Sequence, residues 1–469
     1  MPRPLLFNAF EMPVPVHQSP GLWRHPEDES RNYVSPTHWE REARTIEAAG
    51  FHGIFLADVL GLYDVYGGTP DAALRGGVQV PQLDPLLLAP LLARATEHLA
   101  VGVTASVTYA APYDLARRFA TLDALTDGRI AWNVVTSYQE SAARNLGLGT
   151  QLPHDERYDR ADEYMDVVYA LWEGSYAEDA YAADRDSGVV VDPAKVRGAG
   201  HHGTYFDVTA PSLTAPTRQR TPYLFQAGAS PRGLAFAAKH AEAVFFSGPT
   251  PEHVARWTGR LREEAEAAGR DPRSVKAFTN VAVVVAETGD AAHERLAEYT
   301  RYVDVPAALA LFGGWTGVDL SDADPDAPLE HVETDANRSA LASFTTMDPD
   351  ASWTPRRVAE FVAIGGRGPV ITGSPEEIAD ELERWARVAD VDGFNVNACV
   401  RPADFERFGR FVAPVLRERG VLAPAATVGG AGDSGTGDDG AARVPSAREV
   451  FGGAGPRLPL DHPGAAHRS

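Results

Sequence analysis

Between residues 5 and 400 the chain repeats one pattern eight times: a short β-branched or apolar run, usually followed by a segment whose apolar residues recur at helical spacing. The runs are Leu5–Phe10, Gly53–Asp58, Ala100–Thr108, Ile130–Thr136, Pro222–Gly228, Ala243–Gly248, Val275–Val285 and Gly393–Val400. Helical segments are predicted over Pro36–Ala49, Pro85–Glu97, Tyr113–Leu125, Tyr158–Trp172, Pro231–His240, Pro251–Ala268 and Pro402–Arg419, several opening on Pro or on Asp, Ser or Thr. Alternation of this kind predicts an α/β fold with a parallel sheet wrapped by crossover helices. Eight units point to a closed (β/α)8 TIM barrel, with an open doubly wound sheet as the alternative.

A chain of 469 residues suits one barrel domain with insertions. The domain is expected over 1–421. Two long segments break the alternation, about 173–221 after strand 4 and about 300–370 after strand 7, and both are expected to cover the barrel mouth. From 422 to 469 the composition turns rich in Gly, Ala, Ser and Asp and predicts a disordered tail. A formal net charge of −22 disfavours nucleic acid and anionic membrane as partners. The lone Cys399 excludes an internal disulfide framework. With no signal-peptide pattern and no apolar run near the eighteen or so residues of a membrane span, the expected location is cytoplasmic.

The fourth run opens onto Asn133, Thr136 and Ser137, so a buried strand delivers polar groups at its carboxyl end, where barrels place their chemistry. The fifth opens onto Gln226-Ala227-Gly228-Ala229-Ser230-Pro231-Arg232-Gly233. Small residues there allow close backbone approach, and free amides at a helix start suit an anion. The same residues also read as a plain tight turn with Ser230 as helix cap. Asp58, at the end of the second run, fits either a site carboxylate or a cap.

Other features carry less. His201 and His202 are adjacent, so their side chains diverge on extended backbone, and no metal site is expected. Gly365-Gly366-Arg367-Gly368 lacks the Lys-Ser/Thr of a phosphate loop and reads as a flexible lid hinge. Arg75, Arg117 and Arg367 are the candidates for meeting an anionic substrate, by location only. Phe7, Phe10, Trp132, Phe225 and Phe246 are expected to be mostly core.

The ordered set Glu47–Asp58, Thr104–Thr108, Pro112–Arg117, Leu122-Asp123, Asp127–Arg129, Trp132–Ser137, Arg157-Tyr158, His202–Phe206 and Gln226–Ser230 resembles the nitrilotriacetate monooxygenase branch (component A type) of the bacterial-luciferase-like FMN-dependent monooxygenases. The likeness covers about residues 5–285 and resumes near 373–400. It implies a two-component system in which an NAD(P)H:FMN reductase supplies reduced FMN. Dioxygen then forms a C4a-peroxyflavin that oxygenates a small organic substrate. It also implies a homo-oligomer, dimer or tetramer.

The resemblance places Asp58, Thr104, His154, Tyr158 and Ser230 on the flavin, Ser230 and Tyr158 at its phosphate. Asn133, Thr136, Gly228 and Ala229 would line the same pocket. Tyr138 is the candidate for substrate chemistry; some relatives have a histidine nearby, so a general-base role does not transfer. Two readings from other classes stay open, a non-catalytic flavin-binding barrel and a flavin-free barrel hydrolase or lyase with Asp58 and His154 as acid and base.

Overall fold

The computed structural model describes residues 3–329, 336, 340–341, 353–424 and 444–468. Eight parallel strands form the central sheet: β1 (Leu6–Glu11), β2 (Gly53–Leu56), β3 (Ala100–Ser106), β4 (Ile130–Val135), β5 (Tyr223–Gln226), β6 (Ala243–Phe246), β7 (Lys276–Val285) and β8 (Gly393–Asn397). Each pairs with the next, β7 with β8 across the largest excursion in sequence, and β8 pairs with β1, so the sheet closes into a barrel. All eight predicted runs are strands. A further short strand, Val370–Gly373, pairs with the far end of β7 at Ala282–Val285.

The helices begin where local chemistry satisfies their free amides. Ser35, Asp84, Ser230, Thr250 and Ser374 each cap a helix that starts on proline, accepting from the backbone two or three residues on. Outward-facing strand residues pack on the surrounding helices and on one another: Trp132 meets Phe119 and Trp172, and Phe7 stacks on Phe394 of β8 beside Phe408. Helix Pro375–Ala389 carries a full capping box, Ser374 with Glu377, a legible signal that the periodicity reading passed over.

At the amino-terminal end of the barrel, large and small side chains alternate in the interior. Phe55, Tyr223, Phe225 and Phe278 face Ala100, Ala131 and Ala243, and Phe451 from the chain's end completes the layer. The ring of Phe451 lies 5.0 Å from that of Tyr223 and 5.2 Å from that of Phe225. Gly53 admits it, since a Cβ there would sit 3.1 Å from the Phe451 ring. Arg448 pairs with Glu242 at 2.5 Å, both buried.

The predicted disordered tail is therefore corrected over 444–468. Ser446 and Glu449 form a second capping box, and the segment plugs the barrel. The Gly- and Ala-rich composition around it hid one short amphipathic anchor. Leu422 and Ala423 are also held, by a bridge to Leu5 and a hydrogen bond from His52; the rest of that prediction, 425–443 and 469, lies outside the described residues.

The segment 300–370 also holds more regular structure than its sequence suggested. Asp304 caps helix Val305–Thr316, whose residues from Ala307 to Trp315 are apolar nearly all round, so no period marks it. With helix Pro355–Val362 it forms a satellite core against Tyr63, Ala73 and Val78 from the loop after β2. Residues 330–335, 337–339 and 342–352 lie outside the described residues.

Candidate active site

A cavity opens at the carboxyl ends of the strands. Asp58, Thr104, Asn133, Thr136, Tyr138, His154, Tyr158, Gly228, Ala229 and Ser230 all line it, although they come from four strand ends and the start of a helix. The residues expected on the flavin, together with Tyr138, thus meet in one place. Arg367 joins them, whereas Arg75 and Arg117 are exposed on outer helices.

One wall is built on the turn after β5. Ser230 caps helix Pro231–His240, its Oγ accepting from the Gly233 amide at 3.1 Å, and the same oxygen lies 3.3 Å from His154 Nε2. The cap reading holds, and the residue that makes the cap also lines the cavity. A Cβ on Gly228 or on Gly233 would stand 2.8 Å from the Tyr158 hydroxyl, so the glycines make the space that this phenol occupies. Tyr158 is shared with Thr136 and Ser230, and burial pushes its phenol up. Arg157 donates to the carbonyl of Ser137, tying this wall to the end of β4.

Further in, Asn133 Nδ2 donates to Thr104 Oγ1 at 2.9 Å, a cross-strand bond between β4 and β3. The Oδ1 atoms of Asn133 and Asn280 are buried without a protein partner among the described residues. A buried acceptor left this way is costly, and a polar ligand edge would satisfy it. The apolar surface beside them comes from Phe10, Phe55, Ala57, Val135 and Phe245.

Asp58 accepts from Gln82, and burial pushes its carboxyl up to about 7. Tyr138, at the opposite lip, is not isolated: its hydroxyl is 3.0 Å from that of Tyr63, which donates to Gln79 Oε1 at 2.9 Å. Gln79 in turn donates to the carbonyl of His17 at 3.1 Å. Burial pulls the His17 imidazole down to about 3, which keeps it neutral.

Sequence reasoning missed His17, Gln18, Tyr63, Gln79 and Trp315, which reach the cavity from loops and from an insertion helix. Gln79 holds a left-handed φ of 50°, a feature of the fold and not of the residue type. Asn280 was visible, a lone amide inside the apolar run of β7. Of the expected core aromatics, Phe10 lines the cavity, while Phe225 and Trp132 pack elsewhere.

The segment 173–221 does not cover the mouth, and none of its residues lines the cavity. It forms two small antiparallel hairpins. The second is stapled to the outside of helix His154–Tyr169 by Glu163, which accepts from the amides of Thr204, Tyr205 and Phe206. His201 pairs with Glu163 and His202 with Asp207, so the two imidazoles serve different carboxylates.

The sequence model of the luciferase-like monooxygenase family matches residues 19–392. The chain belongs to that family. Dimethyl-sulfide monooxygenase of Hyphomicrobium sulfonivorans is 46% identical over 420 residues, covering 90% of this chain and 88% of the relative. Long-chain alkane monooxygenase of Geobacillus thermodenitrificans is 39% identical, covering 100% and 99%. Nitrilotriacetate monooxygenase component A of Aminobacter aminovorans is 31% identical, covering 86% and 90%, so the likeness to that branch is not the strongest. Among solved structures, a riboflavin lyase holding modified FMN and riboflavin superposes with a TM-score of 0.89 at 35% identity, covering all of both chains.

As a luciferase-like monooxygenase, the protein is an oxygenase that works with flavin. The cavity fits such a group. It offers a small-residue turn at a helix start for a phosphate, apolar surface for a ring system, and orphaned amide oxygens for the ring's polar edge. No described helix is long and apolar enough to cross a membrane.

Proposed function

We propose that this cavity binds reduced FMN delivered by a separate NAD(P)H:FMN reductase, and that the protein uses it with dioxygen to oxygenate a small organic molecule. The observation that carries the reading is the convergence of Asp58, Thr104, His154, Tyr158 and Ser230 on one chamber next to the turn 228–233. Bound flavin supplies the oxygen-activating chemistry; the side chains supply position and dryness.

In this reading Ser230, Tyr158 and the amides opening helix Pro231–His240 hold the phosphate, where the helix start favours negative charge. Thr104 and Asn133 meet the ribityl chain or ring edge. Phe10, Phe55 and Phe245 exclude water from the ring. Asp58, largely neutral below pH 7, can donate a hydrogen bond where an ionised carboxylate could only accept. Tyr138 is held by Tyr63 as a substrate-side hydroxyl, with no basic group beside it in the Tyr63–Gln79 chain. A positioning role therefore suits it better than that of a general base.

The reading places the chain in the branch with the dimethyl-sulfide and alkane oxygenases, ahead of the aminopolycarboxylate one, as a cytoplasmic homo-oligomer that meets its reductase transiently. Titrating photoreduced FMN anaerobically into the protein tests it: saturable binding that Ser230→Ala weakens supports it, and absence of binding removes it.

A further inference from the structure

One cation in the cavity has no role in the flavin reading. Arg367 lines the chamber on the side of Tyr63, Tyr138 and Trp315, away from the Ser230–His154–Tyr158 wall that the phosphate reading uses. Its guanidinium stands 5.8 Å over the Trp315 ring. Among the described residues no carboxylate pairs with it and no carbonyl accepts from it, whereas the other buried arginines either pair with a carboxylate, as Arg220, Arg401 and Arg448 do, or donate to backbone carbonyls, as Arg129, Arg157 and Arg270 do. A half-buried guanidinium stays charged, and leaving it unpaired is costly unless something else supplies the anion.

The backbone holds that charge in place. Gly365 and Gly366 take left-handed φ values of 79° and 71°, turning the chain so that Arg367 points inward. The turn is wedged: the Gly365 amide donates to Ser19 Oγ at 3.1 Å, a Cβ on Gly366 would overlap the Gln18 side chain, and Gly368 packs on the backbone of Asn280. The glycine-rich stretch read from sequence as a flexible hinge is a packed bracket instead. Its three glycines are explained by close approach to the loop after β1 and to β7.

Building on the proposed flavin site, we infer that Arg367 is a specificity-determining residue that receives the anionic end of the substrate, a carboxylate or sulfonate. Trp315 and Tyr63 flank the apolar body of that substrate, and the Tyr138 hydroxyl gives it a neutral donor. A planar guanidinium over an indole suits bidentate pairing with either oxyanion. The substrate class is a small organic anion with an apolar portion turned toward the flavin. This class differs from the neutral sulfide and alkane named for the relatives at 46% and 39% identity, so the likeness over the whole chain does not set the substrate, and a neutral molecule would leave the charge unmatched.

The test compares hexanesulfonate and hexanoate with methyl hexyl sulfone and hexanamide, by calorimetry on the full chain in low-chloride buffer, with and without FMN. In wild type the anions bind at least about tenfold more tightly than their neutral counterparts. Arg367→Gln abolishes the preference, Arg367→Lys restores part of it, and FMN affinity in both variants stays within about twofold. Equal binding of anion and neutral probe in wild type, no anion binding at millimolar concentration, or a preference that survives Arg367→Gln overturns the assignment. Loss of FMN affinity in Arg367→Gln without loss of anion preference also overturns it, by assigning the cation to the flavin. Failure of wild type to bind FMN would instead count against the flavin site, and the anion measurement without FMN would still stand alone.

Discussion

Ser230 Oγ lies 3.3 Å from His154 Nε2 and 3.1 Å from the Gly233 amide, which joins the helix after β5 to the helix after β4 at the rim of one cavity. Removing this hydroxyl by Ser230→Ala, or the neighbouring one by Tyr158→Phe, is expected to weaken reduced-FMN binding by about 1–3 kcal/mol each, the scale of a hydrogen bond to a charged group. Anaerobic fluorescence titration measures it.

Gly228 tests the same wall by volume and not by bonding. A Cβ at that position would stand 2.6 Å from Gln226 Nε2 and 2.8 Å from the Tyr158 hydroxyl. Gly228→Ala should therefore displace Tyr158 and weaken FMN at least tenfold, while Gly259→Ala, with open space around its Cβ, should leave the titration unchanged.

Asp58 makes flavin binding depend on pH. Its carboxyl is raised to about 7 by burial, so the site gains a negative charge as pH rises through that value. FMN affinity is expected to fall by about three- to tenfold between pH 6 and 8 relative to Asp58→Asn, the scale of a partly screened repulsion near 1 kcal/mol. Equal pH profiles in both proteins would show that this carboxyl does not face the cofactor.

How much of this site the sequence displayed depended on where each residue sits. Asn133, Thr136 and Ser230 stand at strand ends, where a polar residue closing an apolar run is conspicuous, and the eight runs themselves are regular enough to count. His17, Tyr63 and Gln79 lie on the loops after β1 and β2, where polar residues are ordinary, and only the folded path brings them to Tyr138. Trp315 sits in a helix too uniformly apolar to show a period. Phe451 was hidden because a plug needs only one short anchor, whatever the composition around it. Arg367 was visible, but that no described residue forms an ion pair with it is a property of the packed structure.

Phe451 supplies a stability prediction. Its ring fills the barrel interior against Tyr223, Phe225 and Phe278. Phe451→Ala should cost about 3–5 kcal/mol, as large-to-small changes in a core do. Urea denaturation of the variant would report it as a lower midpoint with unchanged slope.

His52 contributes to acid sensitivity. Its Nδ1 accepts from the Phe7 amide at 3.0 Å and its Nε2 donates to the Ala423 carbonyl at 3.1 Å, a pattern that only the neutral ring satisfies. Burial lowers its pKa from 6.5 to about 4, so the unfolded chain takes up the proton first. The stabilisation is complete above pH 6.5 and is lost as pH falls toward 4. His52→Gln should lessen the stability difference between pH 7 and 4.5 by about 2–3 kcal/mol.

The central claim, that the rim of the barrel holds reduced flavin away from water and primes it for oxygen transfer, is tested most directly by stopped flow. The preformed complex of protein and reduced FMN is mixed with aerated buffer and flavin reoxidation is followed by absorbance. The account predicts reoxidation distinctly slower than that of free reduced FMN, with the delay shortened in Ser230→Ala. Reoxidation at the rate of free flavin, with wild type and variant alike, would contradict it.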